Sequence, residues 1–297
     1  MENIILNIYS FYISGIWFRE VKNLSKVKIV TDSTVDIEQS ILSRLQIEVV
    51  PLTITIDKES YEDRIDISPS EFMQKMATSE ELPKSSQPSV GKFVDVYNRL
   101  GEDGSSIISI HMTGGMSGTV ASAETAANIS EADVTVIDSR FISFALSFQV
   151  VEAAQMALDG KSKEEIINQI EKIRNKTQLF ITVDTLDNLV KGGRIGRGKA
   201  LIGSLLNIKP IASLDDGVYT PVTKVRSHSQ IVKFLTKRFV EDTTGKVIKG
   251  VGIAHASALP LAESIKESII KATGFSQIDI AHTTPIIATH TGAGAIG

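Results

Sequence analysis

The chain has 297 residues, a formal net charge of −4 and no cysteine, with 42% hydrophobic and 22% charged residues. The lack of cysteine excludes disulfides, thiolate metal ligands and cysteine nucleophiles, and it is typical of a cytoplasmic protein. The acidic balance and the lack of a basic run argue against a nucleic-acid-binding function. A chain of this length can bury a large core, and two domains are expected.

The first 25 residues differ from the rest of the sequence. They are rich in isoleucine and aromatic residues, but asparagines and serines interrupt the apolar run, and no basic segment precedes it. The segment therefore resembles neither a signal peptide nor a membrane span of ~20 apolar residues. We expect residues 1–25 to be an extension outside the folded core, with a weak membrane-surface contact as the alternative.

From residue 26 onward, strand-like apolar runs alternate with helical patterns. Apolar, β-branched runs predict strands at 27–30, 47–56, 107–110 and 134–137. Residues 61–66 are expected to be irregular. Apolar spacing and capping signals predict helices at 36–45, 68–76, 93–100, 120–127 and 143–158. This alternation predicts an N-terminal α/β domain, residues 26–176, with a mostly parallel sheet flanked by helices.

The pattern changes in the remaining sequence, after a charged helix predicted at 163–175. The turn residues Asp215, Asp216 and Gly217 predict a hairpin between strands at 208–214 and 218–222. Further strands are predicted at 179–183, 251–254, 278–281 and 286–294, and helices at 186–190 and 261–272. A hairpin among helices indicates a C-terminal domain, residues 177–297, with a mixed α/β sheet.

One stretch, His111-Met-Thr-Gly-Gly-Met-Ser-Gly-Thr119, combines the features of an anion site. It follows a predicted buried strand and precedes a predicted helix, so backbone N–H groups point outward at a helix N-terminus. Its glycines allow a close approach, and Ser117 and Thr119 can donate hydrogen bonds to a carboxylate or phosphate. An ordinary strand–helix connection with a Ser or Thr cap is the alternative interpretation.

Seven short motifs occur in an order that resembles the DegV family, and they cover the chain from Val27 to its end. They are Thr31-Asp-Ser-Thr34, Val50-Pro-Leu52, Ser85-Ser-Gln-Pro-Ser89, Ser117-Gly-Thr119, Asp138-Ser139, Gly192-Gly-Arg-Ile195 and His290-Thr-Gly292. The members of this family with an assigned role are FakB-like bacterial fatty-acid-binding proteins. The resemblance implies two α/β domains, an acyl chain in a tunnel, and a carboxyl group held between the domains.

The resemblance also implies roles for individual residues. The carboxyl group would be bound by the Ser85 and Ser117 hydroxyls and the His290 imidazole, with Ser86, Gly118, Thr119 and Thr291 beside them. Arg194 and Arg226 match arginines associated with docking to a kinase or with the phosphorylated head group. The expected ligand is a long-chain fatty acid such as palmitate, stearate or oleate. The expected protein partner is a fatty acid kinase, and no cofactor or metal is implied.

Besides Ser85, which stands where threonine is usual, three features depart from the family pattern. Ala293 stands where the C-terminal motif usually has proline, and residues 1–25 have no counterpart in the family. The segment after Ser139, where glycines are common, carries Phe141, Phe144, Leu146 and Phe148, which puts the length and shape of the tunnel in question. The apolar tunnel is expected to include such residues as Phe93, Ile110, Phe144, Leu146 and Ile287.

Two enzymatic functions are alternatives to a carrier. One is a hydrolase or acyltransferase with Ser117 as nucleophile, although the Gly-x-Ser-x-Gly pattern is absent and no aspartate can be matched to His290. The other is a small-molecule kinase similar to dihydroxyacetone kinase, although no Walker-type phosphate loop occurs. His111, His255 and His282 are interpreted as structural.

Overall fold

The computed structural model describes residues 12–13, 16–17, 26–201 and 208–297. Two short strands, β1 (Tyr12–Ile13) and β2 (Ile16–Trp17), pair in antiparallel orientation. The rest of the predicted extension, residues 1–25, lies outside the described residues. Among the residues described, no helix has both the length and the apolar composition needed to cross a bilayer.

The N-terminal half, residues 26–176, alternates strands and helices as predicted. Its elements are β3 (Val27–Asp32), α1 (Gln39–Arg44), β4 (Ile47–Val50), β5 (Thr53–Ile56), β6 (Glu59–Glu62), α2 (Pro69–Thr78), β7 (Lys84–Ser86), α3 (Val90–Gly101), β8 (Ser106–His111), α4 (Thr119–Ile129), β9 (Val134–Asp138), α5 (Ser143–Leu158) and α6 (Lys163–Lys176). Strands β4, β3, β8 and β9 form a parallel sheet in that order. Helices α3 and α4 cover one face, and α1 and α5 cover the other.

The C-terminal half, residues 177–297, contains the predicted mixed sheet. Its elements are β10 (Phe180–Thr182), α7 (Asp187–Lys191), a 3-10 helix (Gly196–Leu201), β11 (Lys209–Asp215), β12 (Val218–Val225), α8 (His228–Thr243), β13 (Gly252–His255), α9 (Leu259–Thr273), β14 (Asp279–His282) and α10 (Pro285–Thr291). Strands β10, β11 and β12 are antiparallel, whereas β13 and β14 are parallel. Ile296 bridges Thr182 and His255 and so joins the two groups. The predicted fold class is confirmed, while the boundary near residue 176 stays a prediction.

The strand predicted at 286–294 was wrong, because residues 285–291 form helix α10. Thr284 is extended and Pro285 occupies the first helical position, which is a typical helix start. Six of its seven residues are buried, all except His290. Because this short helix is buried nearly all round, its sequence lacks the amphipathic pattern that would have separated it from a strand.

Two further expectations were wrong in the same region of the N-terminal half. The strand predicted at 47–56 is divided at Pro51 and Leu52, and β4 and β5 belong to different sheets. Residues 59–62 form β6, which pairs with β5 and includes residues 61 and 62 of the segment expected to be irregular. Strand β7 pairs with the other side of β5. This small antiparallel sheet brings Ser85 of β7 to helix α10.

One long helix was not predicted. Residues 228–243 form α8, in which Ser227 accepts a hydrogen bond from the Gln230 N–H at the N-terminus. The helix packs beside α9 over the C-terminal sheet, and Ile231 is its buried residue. Its apolar spacing is diluted by lysines and threonines, which explains why periodicity alone did not identify it.

The two halves are joined by buried polar contacts. Asp36, which is buried in the N-terminal half, accepts hydrogen bonds from Thr283 Oγ1 (3.2 Å) and the Thr284 N–H (3.1 Å). The Ser143 hydroxyl also donates to Asp36. Burial raises the pKa of Asp36 to about 6, against the lowering effect of these donors. Residues 283–284 directly precede α10, so Asp36 anchors the start of that helix.

The tip of the β11–β12 hairpin makes the second junction. Thr113 Oγ1 donates to the Gly217 carbonyl at 3.0 Å, and Arg140 pairs with Asp216 at 3.0 Å. Gly217 has a φ of +76°, and a Cβ there would lie 2.0 Å from Thr113 Oγ1. Both the backbone conformation and the space therefore require glycine at this contact.

Candidate ligand-binding site

A cavity of about 520 Å³, its open mouth included, lies where the two halves meet. Its wall combines apolar side chains with a few polar ones. The lining residues are Leu52, Ser85, Met112, Met116, Ser117, Ile142, Ile181, Leu189, Arg194, Tyr219, Ile286, Ile287, His290 and Thr291. Of the five residues expected to form a tunnel, only Ile287 lines this space.

A second cavity of about 310 Å³, its open space included, adjoins the first. The two share Ile142, Ile181, Ile287 and Thr291 in their walls. The second cavity is also bordered by Leu179, Ala254, Ala295, Ile296 and Gly297. The hydroxyls of Ser143, Thr283 and Thr291, which border it too, are already bonded within the protein. Both cavities are mostly apolar, and the charged and imidazole groups lie in the wall of the first.

Ser85 and His290 form the polar centre of the first cavity. Ser85 Oγ and His290 Nε2 are 2.7 Å apart. Strand β7 presents Ser85 because alternate side chains of a strand point to opposite sides. His290 occupies the last turn of α10, as the one residue of that helix that is only partly buried. The misassigned helix is therefore the element that delivers the imidazole.

The other face of the His290 ring lies against the backbone of the C-terminal half. A Cβ on Gly192 would come within 2.3 Å of His290 Nδ1. Nδ1 is buried and has no hydrogen-bond partner among the residues described. Burial, reinforced by the nearby Arg194 charge, lowers the pKa of His290 to about 4. The imidazole is therefore neutral at pH 7.

Arg194 brings a positive charge to the same cavity. Its Nε donates to the Met116 carbonyl at 3.0 Å, and its Nη1 donates to the Gly192 carbonyl at 2.7 Å. The guanidinium is half-buried and is fixed by one acceptor from each half of the molecule. Because two of its donors are held by backbone carbonyls, the remaining N–H groups can bind an anion in the cavity.

Ser117 enters the cavity from the glycine turn. Its Oγ lies 2.8 Å from Thr119 Oγ1 and accepts a hydrogen bond from the Thr119 N–H at 3.3 Å. Gly118 is the N-cap of α4 and packs against Gln87, whose side chain a Cβ would approach to 2.3 Å. The helix N-terminus adds a partial positive charge beside Ser117, as expected for this turn.

The structure brings five of the nine residues named from the sequence into the first cavity: Ser85, Ser117, Arg194, His290 and Thr291. Ser86 is exposed, because strand alternation points it away from Ser85. Gly118 and Thr119 support the turn without lining the cavity. Arg226 is exposed at the end of β12, where its N–H donates to Gln230 Oε1 at 2.7 Å, and it does not line the cavity either.

Most of the expected tunnel residues lie elsewhere. Phe93 is buried under α3 on the far face of the parallel sheet. Ile110 and Leu146 belong to the main core. Phe144 stacks on Phe148 and packs over Gly252 of β13, where a Cβ would lie 2.3 Å from its ring. The aromatic segment after Ser139 thus joins α5 to β13, and Ile142 is the residue between them that lines both cavities.

Several wall residues were not found from the sequence. Met112 and Met116 flank the glycine turn, and Tyr219 follows the hairpin tip. Nothing in their spacing distinguishes them from core residues, since a wall of an apolar cavity has the same composition as a core. The one available signal was their position next to the glycine-rich turns.

A buried Ser–His–Asp arrangement exists outside the cavities. His111 Nε2 lies 2.6 Å from Ser109 Oγ, and His111 Nδ1 lies 3.2 Å from Asp32 Oδ2. All three side chains are fully buried, and the Tyr97 hydroxyl donates to Ser109 at 2.8 Å. Hydrogen bonds to Asp32 from His111, Thr34 and the Met112 N–H outweigh burial and lower its pKa. The network ties β3 to β8 below the glycine turn and has no route for a substrate.

No candidate metal centre is present in the described part of the chain, because His, Asp and Glu residues do not gather in groups of three or more there.

These features define a two-part α/β protein with an internal apolar cavity that has one polar end. The chain belongs to the DegV family, whose model matches residues 26–297, so the resemblance seen in the motifs is confirmed. A DegV domain-containing protein of Listeria innocua is 43% identical over 273 residues, which cover 92% of this chain and 97% of the relative.

Two solved structures have the same fold. A DegV family protein from Thermus thermophilus, described by its fatty acid binding, superposes with a TM-score of 0.84 at 30% identity over 91% of this chain and 97% of its own. DegV of Bacillus subtilis, described as a fatty acid binding protein, gives a TM-score of 0.81 at 30% identity over 92% of this chain and 98% of its own.

Proposed function

We propose that this protein binds a long-chain fatty acid such as palmitate, stearate or oleate and presents its carboxyl group to a separate fatty acid kinase for acyl-phosphate formation. The observation that carries the proposal is the pair of adjoining apolar cavities, of which the first is lined by the Ser85–His290 pair and Arg194. The fatty acid binding of the Thermus and Bacillus relatives supports it.

The apolar part of the site accounts for affinity. Burying a hydrocarbon chain is worth about 0.8 kcal/mol per CH₂, so a tail of about fifteen methylenes offers about 12 kcal/mol before association costs. Ile142, Ile181 and Ile287 border both cavities, so one acyl chain would lie along them from the first cavity into the second.

The polar end accounts for recognition of the head group. A buried carboxylate needs compensating donors, since leaving it unpaired costs several kcal/mol. The Ser85 and Ser117 hydroxyls, the His290 imidazole and the Arg194 guanidinium border the same cavity. Each charge-assisted hydrogen bond contributes roughly 1.5–3 kcal/mol. Because the cavity is open at its mouth, the carboxyl group stays within reach of a partner protein.

A hydrolase is a weaker interpretation of the same residues. The partner of His290 is Ser85, while Ser117 is bonded to Thr119. A catalytic serine needs a histidine base whose protonated form is stabilised by a carboxylate. His290 has no acid on Nδ1 among the described residues, and the Arg194 charge disfavours the imidazolium. No observation specifically supports the alternative of a small-molecule kinase similar to dihydroxyacetone kinase.

The remaining parts of the proposal concern partners and location. Arg194 at the cavity and Arg226 on the exposed end of β12 are the proposed contacts to the kinase or to the phosphorylated head group. We propose a cytoplasmic carrier that acts without a cofactor, metal ion or catalytic step of its own. Loading and release of lipid imply transient contact with a membrane surface.

Mass spectrometry of the purified full chain tests this function. Native spectra should contain a non-covalently bound long-chain fatty acid, and denaturing spectra should give the unmodified protein mass. A covalent acyl adduct on a serine would instead support the hydrolase, and ATP turnover by the isolated chain would support the small-molecule kinase. Failure of the delipidated protein to take up palmitic acid contradicts the proposal outright.

A further inference from the structure

Tyr219 is the one tyrosine in the wall of the first cavity. It lies in β12, two residues beyond the glycine at the hairpin tip, and its side chain is 1% exposed. It lines the same space as Ser85, Ser117, Arg194 and His290. The hairpin is fixed at its tip by the hydrogen bond from Thr113 to Gly217.

The Tyr219 hydroxyl is buried and has no hydrogen-bond partner among the described residues. The other large buried tyrosine, Tyr97, donates to Ser109 at 2.8 Å. Buried polar groups are normally paired, so an unpaired hydroxyl on a residue that lines a cavity calls for an acceptor that a ligand can provide. Burial raises the pKa of Tyr219, which keeps the phenol protonated and able to donate.

The ring is also held in place by close backbone contacts. A Cβ on Gly198 would lie 3.1 Å from Tyr219 Cε1, and a Cβ on Gly196 would lie 2.7 Å from the Tyr219 carbonyl oxygen. Gly196 and Gly198, which belong to the 3-10 helix, therefore let that helix pack directly on this residue. A ring fixed in this way loses little conformational freedom when its hydroxyl meets a ligand.

We propose that the Tyr219 hydroxyl donates a hydrogen bond to the carboxylate of the bound fatty acid, as a head-group donor from the C-terminal sheet. This inference rests on the proposed function. It makes the hairpin part of the binding site, so that a carboxylate at the polar end is bound by donors from both halves. A ligand with the same tail but no acceptor at this position would not receive the bond.

The test uses the delipidated full chain and palmitic acid, with calorimetric titration of three proteins. Tyr219→Phe removes only the hydroxyl and should weaken palmitate binding by about tenfold or more, as expected for a hydrogen bond to a charged group. The melting temperature of the ligand-free variant should equal or exceed that of the wild type. Tyr97→Phe, the matched control, should melt at a lower temperature and bind palmitate as the wild type does.

A second measurement follows the head group directly. With palmitate labelled with carbon-13 at its carboxyl carbon, the bound carboxyl resonance should move in Tyr219→Phe and stay in place in Tyr97→Phe. Wild-type affinity and an unmoved resonance in Tyr219→Phe would overturn the inference while leaving the proposed function intact. If the wild type itself fails to bind palmitate, the proposed function fails first.

Discussion

Ser85 Oγ and His290 Nε2 lie 2.7 Å apart although 205 residues separate them in the chain. The contact joins a short strand of the N-terminal half to the last turn of the last helix. Because each residue comes from a different half, the polar end of the cavity forms only when the whole chain has folded. The pair is therefore a sensitive point at which to test the proposed site.

Removing either partner should weaken fatty acid binding. Ser85→Ala deletes a head-group donor, and His290→Ala deletes the hydrogen-bond partner that orients it, so we expect a loss of roughly tenfold or more in affinity from each. Because the two side chains bond each other, the double variant should lose less than the sum of the single losses. Calorimetric titration of the delipidated proteins with palmitic acid measures all three.

Ser86 provides the control for that series. It neighbours Ser85 in sequence but is exposed and does not line the cavity. Ser86→Ala should bind palmitate like the wild type. If Ser86→Ala weakened binding as much as Ser85→Ala does, strand β7 would have to present its other face to the ligand. The assignment of Ser85 to the head-group site would then be wrong.

The fold class was predictable because alternation of strands and helices leaves few arrangements of a sheet. The hydrogen bond between Ser85 and His290 was not predictable, because it depends on the small β5–β6–β7 sheet and on helix α10. The prediction of a strand at 286–294 was wrong because α10 is short and buried almost all round, so its sequence shows no amphipathic pattern. Motif resemblance named the polar residues, while the apolar wall could not be separated from the core by sequence.

Gly192 should be intolerant of any side chain. A Cβ there would lie 2.3 Å from His290 Nδ1 and 2.9 Å from the Asn188 carbonyl oxygen. Gly192→Ala should therefore push the imidazole away from Ser85 and reduce the fatty acid that co-purifies with the protein. Lipid extraction followed by mass spectrometry gives the amount per mole of protein.

Gly193→Ala separates this steric effect from backbone strain. Gly193 has a φ of +74°, but a Cβ there would meet no atom within 4 Å. Strain should lower the stability of this variant by about 1 kcal/mol, while its lipid content should stay near the wild-type value. Equal lipid loss in both variants would attribute the effect to the loop and not to His290.

The pKa of His290 should rise when a fatty acid binds. Burial and the Arg194 charge hold this pKa at about 4 in the free protein. A carboxylate beside the ring favours the imidazolium and opposes both effects. The pKa of a histidine in an unfolded chain is near 6.5. Without lipid, His290 therefore binds more protons in the unfolded chain than in the folded one between pH 4 and 6.5. The contribution of His290 to stability is therefore lost as pH falls through that range, and bound lipid should reduce the loss.

Histidine titration by NMR, with and without palmitate, checks this prediction. His255 serves as the internal control, because burial and the neighbouring His282 lower its pKa to about 4 as well, and it lines neither cavity. We expect the His290 midpoint to move upward while the His255 midpoint stays. If neither midpoint moved in protein shown to contain palmitate, the carboxylate would have to lie away from His290.

The second cavity should set the length of the acyl chain. Ala254 of β13 is 2% exposed and lines this second cavity. Ala254→Leu fills part of that volume, so stearic acid should lose affinity by about tenfold or more, since one misplaced methylene is worth ~0.8 kcal/mol and several would be displaced. Lauric acid, whose tail is six carbons shorter, should bind almost as it does to the wild type.

Ala262→Leu is the matched control, because Ala262 is fully buried in the C-terminal half but lines neither cavity. Overpacking should lower the stability of both variants by roughly 1–3 kcal/mol. Only Ala254→Leu should change the ratio of the stearic and lauric acid affinities, measured by competitive titration. If Ala254→Leu weakened both acids equally, the tail would not reach the second cavity, and the acyl chain would have to leave through the mouth of the first.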